Sequence, residues 1–123
     1  MNRSNLIVAI GCVALLAGCA SYPPDAHPID AKALHERLAG KTYTARTATG
    51  MGWEMRYGPD GRLNMELSNG DADKGRWRAE EGRLCIDFEG KFPSGCSEVR
   101  ADAKQLYFKR GSNNEIVVLT VKP

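Results

Sequence analysis

Hydrophobic and polar residues alternate with a period of two along most of the chain after residue 40. In one such segment, Trp53, Met55 and Tyr57 alternate with charged residues. This alternation is typical of β-strands that bury one face, because successive side chains of a strand point to opposite sides. We predict eight strands, at 41–47, 53–57, 63–67, 76–79, 84–88, 96–100, 106–109 and 115–122.

The segments between these strands are short and rich in turn-forming residues. At 58–61, for example, a proline fixes φ and the flanking glycines accept unusual backbone angles. Connections of this length join antiparallel neighbours, and closure of the sheet removes its exposed edges. The sequence therefore predicts a mainly β fold. It is an eight-stranded antiparallel up-and-down meander that closes into a small barrel, with one short N-terminal helix.

The short helix is predicted before the first strand. Asp30 is a favourable N-cap residue, and the segment 31–38 places Leu34 and Leu38 four residues apart on one face. The last strand is apolar on both faces at 116–119. We therefore expect the leucine face of the helix to cover the outside of that strand.

The chain begins with the features of an export signal. A short segment that carries Arg3 precedes a run of 12 apolar residues, 6–17. A transmembrane helix needs roughly 20 apolar residues, so this run fits the core of a signal peptide. It ends in Leu-Ala-Gly ahead of Cys19, a sequence that resembles the lipobox of bacterial lipoproteins. Cys12 would leave an apolar run of only about six residues, so we reject it as the lipobox cysteine.

The resemblance to a lipobox implies removal of residues 1–18 and lipidation of Cys19 with diacylglycerol and a fatty acid such as palmitate. Three acyl chains would anchor the protein stably, since two chains already suffice. Residue 20 is Ala20 rather than the aspartate that favours inner-membrane retention in enterobacterial lipoproteins. The resemblance therefore implies attachment to the inner leaflet of the outer membrane, facing the periplasm. We predict a signal at 1–18, a lipidated tether at 19–29 and a barrel domain at 30–123.

Composition limits the range of partners. Without the signal, 105 of the 123 residues remain, enough for one small domain. Loss of Arg3 leaves 16 of the 17 basic residues against 15 acidic ones. This near-neutral balance argues against nucleic-acid binding, which usually needs a clustered basic face.

Two cysteines remain in the predicted barrel, Cys85 and Cys96. An exported protein enters an oxidising compartment, so a disulfide is expected. Both cysteines are out of phase with their apolar strand neighbours, so we place them on the polar face. There they meet across a hairpin centred near Gly90 and Lys91, and the predicted disulfide joins two neighbouring strands on the outside of the barrel.

Short motifs lie at 38–43, 75–77, 82–85 and Cys96: Leu-Ala-Gly-Lys-Thr-Tyr, Gly-Arg-Trp, Gly-Arg-Leu-Cys and the second cysteine. Together they look like the motifs of a family of small exported bacterial domains of unknown function, loosely lipocalin-like, over residues 30–121. The resemblance implies a short helix, a strand meander and a cysteine pair on a hairpin. It implies no established activity and no catalytic residues.

Candidate catalytic and metal-binding groups are few. His27 lies in the tether and His35 on the helix, where we expect it to face solvent, and no Ser/His/Asp or Cys/His set can be assembled. The spacing of the two barrel cysteines is not that of a metal site. We therefore predict no enzyme activity, no metal and no cofactor.

Two charged groups have both a functional and a structural interpretation. Asp71 and Asp73 faintly resemble a cation-binding loop, but the later bidentate glutamate of an EF-hand is missing, so we interpret them as a solvated turn. Arg76 and Arg78 form either a patch for an anionic partner or a solvated face, and we favour the solvated face.

Four large residues share the inward phase of the strands: Trp53, Met55, Tyr57 and Trp77. They either line a ligand cavity in the mouth of the barrel or fill the core of a small closed barrel. A void above about 300 Å³ would favour ligand binding, and a filled interior would favour interaction through the surface.

These observations predict a membrane-anchored periplasmic lipoprotein that acts as a non-catalytic binding or interaction module. Its partner would be an envelope protein or a small apolar ligand, besides the membrane itself. One alternative is an inhibitor of an envelope hydrolase of the lysozyme type, with the turn 90–95 as its contact loop. A second alternative is a carrier of a small apolar ligand.

Overall fold

The structure is a computed structural model that describes residues 21–123. The predicted signal and the predicted lipidation site, Cys19, lie outside the described residues, so both stay predictions. Within residues 21–123, no helix has the length and the apolar character needed to cross a bilayer.

The described residues form one helix, α1 (Ala31–Leu38), and nine strands. The strands are β1 (His27–Pro28), β2 (Lys41–Arg46), β3 (Gly52–Tyr57), β4 (Arg62–Leu67), β5 (Ala72–Glu80), β6 (Arg83–Phe88), β7 (Gly95–Ala101), β8 (Leu106–Lys109) and β9 (Ile116–Val121). Strands β2 to β9 are the eight predicted strands, each antiparallel to its neighbours, and pairing of β7 with β8 closes them into a barrel. The predicted fold is therefore confirmed.

The tight turns explain how so short a chain makes eight strands. Strands β5 and β6 pair as far as Glu80 and Arg83, so only two residues form the turn. The second of them, Gly82, has a φ of +69°, a conformation that glycine adopts without strain. Within the same strand pair, a Cβ on Gly75 would collide with the carbonyl oxygen of Asp87, so only glycine fits there.

Helix α1 forms as predicted but lies elsewhere. The Asp30 carboxylate accepts a hydrogen bond of 2.8 Å from the backbone N–H of Ala33 and caps the helix. Leu34 and Leu38 are fully buried in the core of the barrel, packed with residues of β2 and β5. The expectation that they cover the outside of 116–119 is wrong, because the open end of the barrel offers them a more complete burial than a flat strand surface would.

The helix defines two ends of the barrel. We call the end that holds α1 and the loops 58–61, 81–82 and 102–105 the lower end. The upper end carries the loops 47–51, 68–71, 89–94 and 110–115. Among the described residues, the buried core cluster runs from Leu34 to Leu119 and spans the closed barrel, so we expect the barrel domain 21–123 to fold as a unit.

The hairpin formed by β8 and β9 is joined to the rest of the barrel mainly near the lower end. The ladder between β7 and β8 stops at the pair Val99–Phe108. The ladder between β2 and β9 comprises only Tyr43–Val121 and Thr44–Thr120. The upper half of this hairpin therefore lies beside its neighbours without a hydrogen-bonded ladder.

Part of the segment expected to be a tether packs against the barrel. Strand β1 pairs with Arg100 and Ala101 of β7, and Ala26 is buried. Tyr22 donates a hydrogen bond of 2.7 Å to Glu98, and its ring lies under the Arg100 guanidinium. From Tyr22 onward this segment is therefore held against β7, and β1 pairs along the edge of β7 beyond the end of the β6–β7 ladder.

Candidate functional site

The upper end of the barrel contains an apolar cavity of about 630 Å³. This volume is within the range of about 300–1,000 Å³ that is usual for small-molecule sites. Its apolar lining residues are Met51, Trp53, Met55, Met65, Leu67, Leu84, Ile86, Phe88, Phe92, Pro93 and Phe108. The remaining lining residues are small or polar, except for one arginine, Arg110.

The alternation of side chains along each strand places these residues on the inner face of the barrel. Inward positions at the upper ends of β3, β4 and β6 supply residue pairs such as Trp53 and Met55, and Met65 and Leu67. Three methionines contribute, and unbranched thioether side chains adjust to ligands of different shape. The sequence pattern thus builds one continuous apolar wall from neighbouring strands.

The loop 89–94 forms another part of the wall and is fixed by Asp73. The Asp73 carboxylate accepts hydrogen bonds from the backbone N–H groups of Gly90 (2.9 Å), Lys74 (2.8 Å) and Phe92 (3.3 Å). The ring of Phe92 packs on Phe88, with ring centroids 5.9 Å apart. One carboxylate therefore positions an aromatic residue of the cavity.

The charge of Arg110 at the cavity is compensated. Its guanidinium lies 3.2 Å from the Glu115 carboxylate, which also accepts a 2.7 Å hydrogen bond from the backbone N–H of Ala48. The Ala48 N–H and the Arg110 guanidinium hold the pKa of Glu115 below its ordinary value, against a smaller opposing effect of burial. Glu115 thus links the β8–β9 hairpin to the loop that follows β2.

The predicted disulfide between Cys85 and Cys96 is confirmed, with an S–S distance of 2.07 Å. The two cysteines face each other directly across β6 and β7, as expected for a hairpin around 89–94. Cys85 is only 1% exposed, although it points away from the inward residues Leu84 and Ile86. A carboxylate oxygen of Glu80 lies within 4.8 Å of both sulfurs.

The four residues expected at a cavity separate into two pairs. Trp53 and Met55 line the upper cavity. Tyr57 and Trp77 belong to the packed lower end, where their rings meet edge to face at 5.4 Å. The Trp77 indole donates to the carbonyl oxygen of Gly58 at 2.9 Å, so the ring is fixed as a structural element.

The histidines lie apart from the cavity. His35 is exposed, as expected, and its ring stacks on Trp77 at the lower end, with centroids 5.0 Å apart. His27 lies in β1 on the outer surface. Neither residue lines the upper cavity.

Of the charged residues singled out in the sequence, Asp71, Asp73 and Arg78 have protein partners, and Arg76 is exposed on β5. Asp71 pairs with Lys91 at 3.2 Å, and Asp73 binds backbone N–H groups as described above. Arg78 lies 2.9 Å from Glu80 on the outer face of β5. These contacts are structural for both groups, but Asp73 does not belong to a solvated turn: it lies in β5 and binds the loop 89–94.

A second depression, of about 690 Å³, lies on the outer face of β3, β4 and β5. Its charged lining includes Glu54, Arg56 and Glu66, and the two glutamates face each other across the strands. It lies outside the barrel among solvated side chains, so it lacks the apolar enclosure that characterises the upper cavity.

Sequence reasoning missed several residues of the cavity. Phe92 lies in a loop, so the strand period could not place it, whereas Phe108 has the inward phase of the predicted strand 106–109 but was not assigned to a cavity. A weak signal exists for Phe92, because an aromatic residue in a short turn otherwise rich in glycine and serine is rarely left fully in solvent.

Comparison of the chain with protein-family models found no match, and comparison with curated protein sequences found none. The resemblance to small lipocalin-like exported domains therefore remains a prediction, and the geometry of the cavity is the main source for a functional proposal.

Proposed function

We propose that this protein is a non-catalytic binding module that holds an apolar group of its ligand in the upper cavity. The observation that carries the proposal is the apolar cavity of about 630 Å³, open at the upper end of the barrel, where residues 21–123 place no helix. The volume of this cavity lies in the range of about 300–1,000 Å³ that is usual for small-molecule sites, and its walls are mainly apolar.

The partly exposed apolar side chains that line the cavity support this proposal. A ligand that enters the cavity removes the half-buried side chains of Trp53, Leu67 and Phe108 from water. Burial of apolar area is favourable by about 25 cal/mol per Å². The methionine side chains let the same walls close around different apolar shapes.

The binding proposal is tested with N-phenyl-1-naphthylamine, an uncharged probe whose emission rises in apolar surroundings. The barrel domain 21–123 should bind it, and Leu67→Arg should abolish binding by placing a charged chain in the cavity. Val118→Arg is the matched control, because Val118 is 38% exposed on the outer face of β9.

The outcome separates the cavity from the outer surface. Loss of binding in Leu67→Arg with retention in Val118→Arg supports the proposal, provided that both variants keep the circular dichroism of the parent. Equal binding by all three proteins, or no binding by the parent, contradicts it.

We further propose that lipidation at Cys19 anchors this module to the periplasmic side of the outer membrane. The lipobox-like sequence supports this part of the proposal. In cells that express the full chain, Cys19→Ala should abolish palmitate incorporation and move the protein out of the lipidated membrane fraction. Cys12→Ala is the matched control and should change neither palmitate incorporation nor membrane fractionation. Loss of palmitate in Cys12→Ala, with retention in Cys19→Ala, would contradict the assignment of Cys19 as the lipidated residue.

A further inference from the structure

Resting on the proposed binding function, we propose that the upper cavity takes an acyl chain that carries an uncharged amide head rather than an ionised one. The chain would occupy the apolar interior, and the head would lie at the gap between β7 and the β8–β9 hairpin. Three features of the rim support this class of ligand.

The first feature is the lack of an available charge. Among the described residues that line the cavity, Arg110 is the one that carries a charge, and Glu115 neutralises it. Glu115 is itself held by the backbone N–H of Ala48, so a ligand carboxylate would have to compete with a fixed internal one. An ionised head without a partner beside apolar walls carries a desolvation penalty, which an uncharged head avoids.

The second feature is the backbone of Cys96. The Val99 N–H donates to the carbonyl oxygen of Gly82 on the β6 side, so alternate residues of β7 turn their N–H and C=O groups to that side. Cys96 lies three residues before Val99 and is out of step with it, so its N–H and C=O point to the opposite side, toward β8. The Cα–Cα distance of 4.0 Å between Cys85 and Cys96 agrees, because pairs without mutual ladder bonds lie closer together.

The edge that carries these two groups is unpaired in the described part of the chain. The ladder between β7 and β8 reaches no further up than Val99 and Phe108, and Cys96 lies above it at the cavity wall. Cys96 therefore presents one donor and one acceptor to the gap. A primary amide offers both N–H donors and a carbonyl acceptor, so it can satisfy both groups of this edge, whereas an ester has only acceptors.

The third feature is a set of serine hydroxyls at the rim. Ser94 accepts a hydrogen bond of 2.8 Å from the Phe88 N–H, which leaves its own proton for donation. Ser97 and Ser112 also line the cavity. These neutral groups bind an uncharged polar head without demanding a counter-charge.

The test compares four ligands that share a 12-carbon chain and differ in their head groups. Dodecanamide, methyl dodecanoate, dodecanoate and dodecylammonium compete with N-phenyl-1-naphthylamine for the barrel domain at pH 8, the two neutral ligands below their solubility limits and the two ions below their micelle concentrations. We expect dodecanamide to bind about tenfold more tightly than either ion, the effect of one or two net hydrogen bonds, with the ester in between. The inference is overturned if dodecanoate or dodecylammonium binds as tightly as dodecanamide. It is also overturned if the capped peptide acetyl-Leu-Ala-Leu-Ala-amide binds more tightly than dodecanamide, because the cavity would then prefer a peptide to an acyl amide.

A variant isolates the role of the neutralised arginine. Glu115→Gln releases the charge of Arg110, so dodecanoate should bind about fivefold more tightly while dodecanamide changes less than about twofold. Glu66→Gln, an outward residue of β4, is the matched control and should change neither affinity. Unchanged dodecanoate binding in Glu115→Gln contradicts the account of the rim.

The two proposals fail in distinguishable ways. If the uncharged probe binds but the four heads compete equally, only the preference for an amide is wrong. If the probe does not bind at all, the binding function of the cavity is wrong as well.

Discussion

The two ends of the barrel are made from the same alternating strands, yet one end is filled and the other is hollow. At the lower end, Leu34 and Leu38 of α1 enter the barrel and pack with Tyr57 and Trp77. At the upper end no helix of the described residues enters, and inward residues such as Trp53 line a cavity instead. The inward phase of a strand therefore does not distinguish a core residue from a ligand-contacting one; what closes each end of the barrel decides.

The largest effect is expected where the helix fills the lower end. Leu38→Ala should lower the free energy of unfolding by about 2–5 kcal/mol, because Leu38 is fully buried and leaves a cavity. Met51→Ala at the upper end should cost less than about 0.5 kcal/mol, since Met51 is 39% exposed. Urea unfolding of both variants checks the contrast, and similar losses would mean that both ends are packed alike.

The disulfide stabilises the wall of the hollow end. Replacement of both Cys85 and Cys96 by alanine should lower the free energy of unfolding by about 2–3 kcal/mol, because the denatured chain loses a covalent constraint. Thermal unfolding of the variant, beside the reduced parent as a control, measures this loss. A variant as stable as the oxidised parent would show that the strand pairing alone holds this wall.

The two tryptophans should differ in their contribution to stability. Trp77→Phe should cost about 1–2 kcal/mol, because it removes the hydrogen bond to Gly58 and part of the packing around His35. Trp53→Phe should cost less than half of that, since Trp53 is only half-buried at the cavity. Denaturant unfolding tests the order, and a larger loss in Trp53→Phe would reverse our assignment of the packed end.

The smallest effect is expected at the hairpin tip. The pKa of Glu115 is lowered in the folded state, so its contribution to stability is present above the pKa of the unfolded chain and is lost as the pH falls through the folded value. Glu115→Gln should therefore lower stability slightly, by about 0.5–1 kcal/mol near pH 7, and the difference from the parent should shrink below about pH 4. A difference that grows on acidification would contradict the direction of the pKa shift.

Much of the fold was accessible from the sequence because the relevant signals are local. Alternation within each strand, the N-cap Asp30 and the phase of Cys85 are set by neighbouring residues, and each led to a correct prediction. The position of α1 depends on which apolar surface offers the most complete burial, and that is a property of the closed barrel. Strand β1 is short and follows a proline-rich segment, so no periodicity could reveal it.

The candidate site was only half accessible for the same reason. The sequence grouped Trp53 and Met55 with Tyr57 and Trp77, because all four share the inward phase. It could not show that the helix covers the second pair, nor that the β7–β8 ladder stops below the level of Cys96. Both facts arise from tertiary contacts between segments distant in the chain.

Contact quenching by a bromine-labelled chain tests the contrast between the two ends most directly. Trp77→Phe leaves Trp53, at the cavity, as the single tryptophan. Trp53→Phe leaves Trp77, at the lower end, as the single tryptophan. Bromodecane quenches tryptophan emission on contact, so saturating amounts should quench Trp53 strongly and leave Trp77 nearly unchanged. Equal quenching of both residues, or quenching of Trp77 alone, would contradict a barrel that is filled below and open to an apolar ligand above.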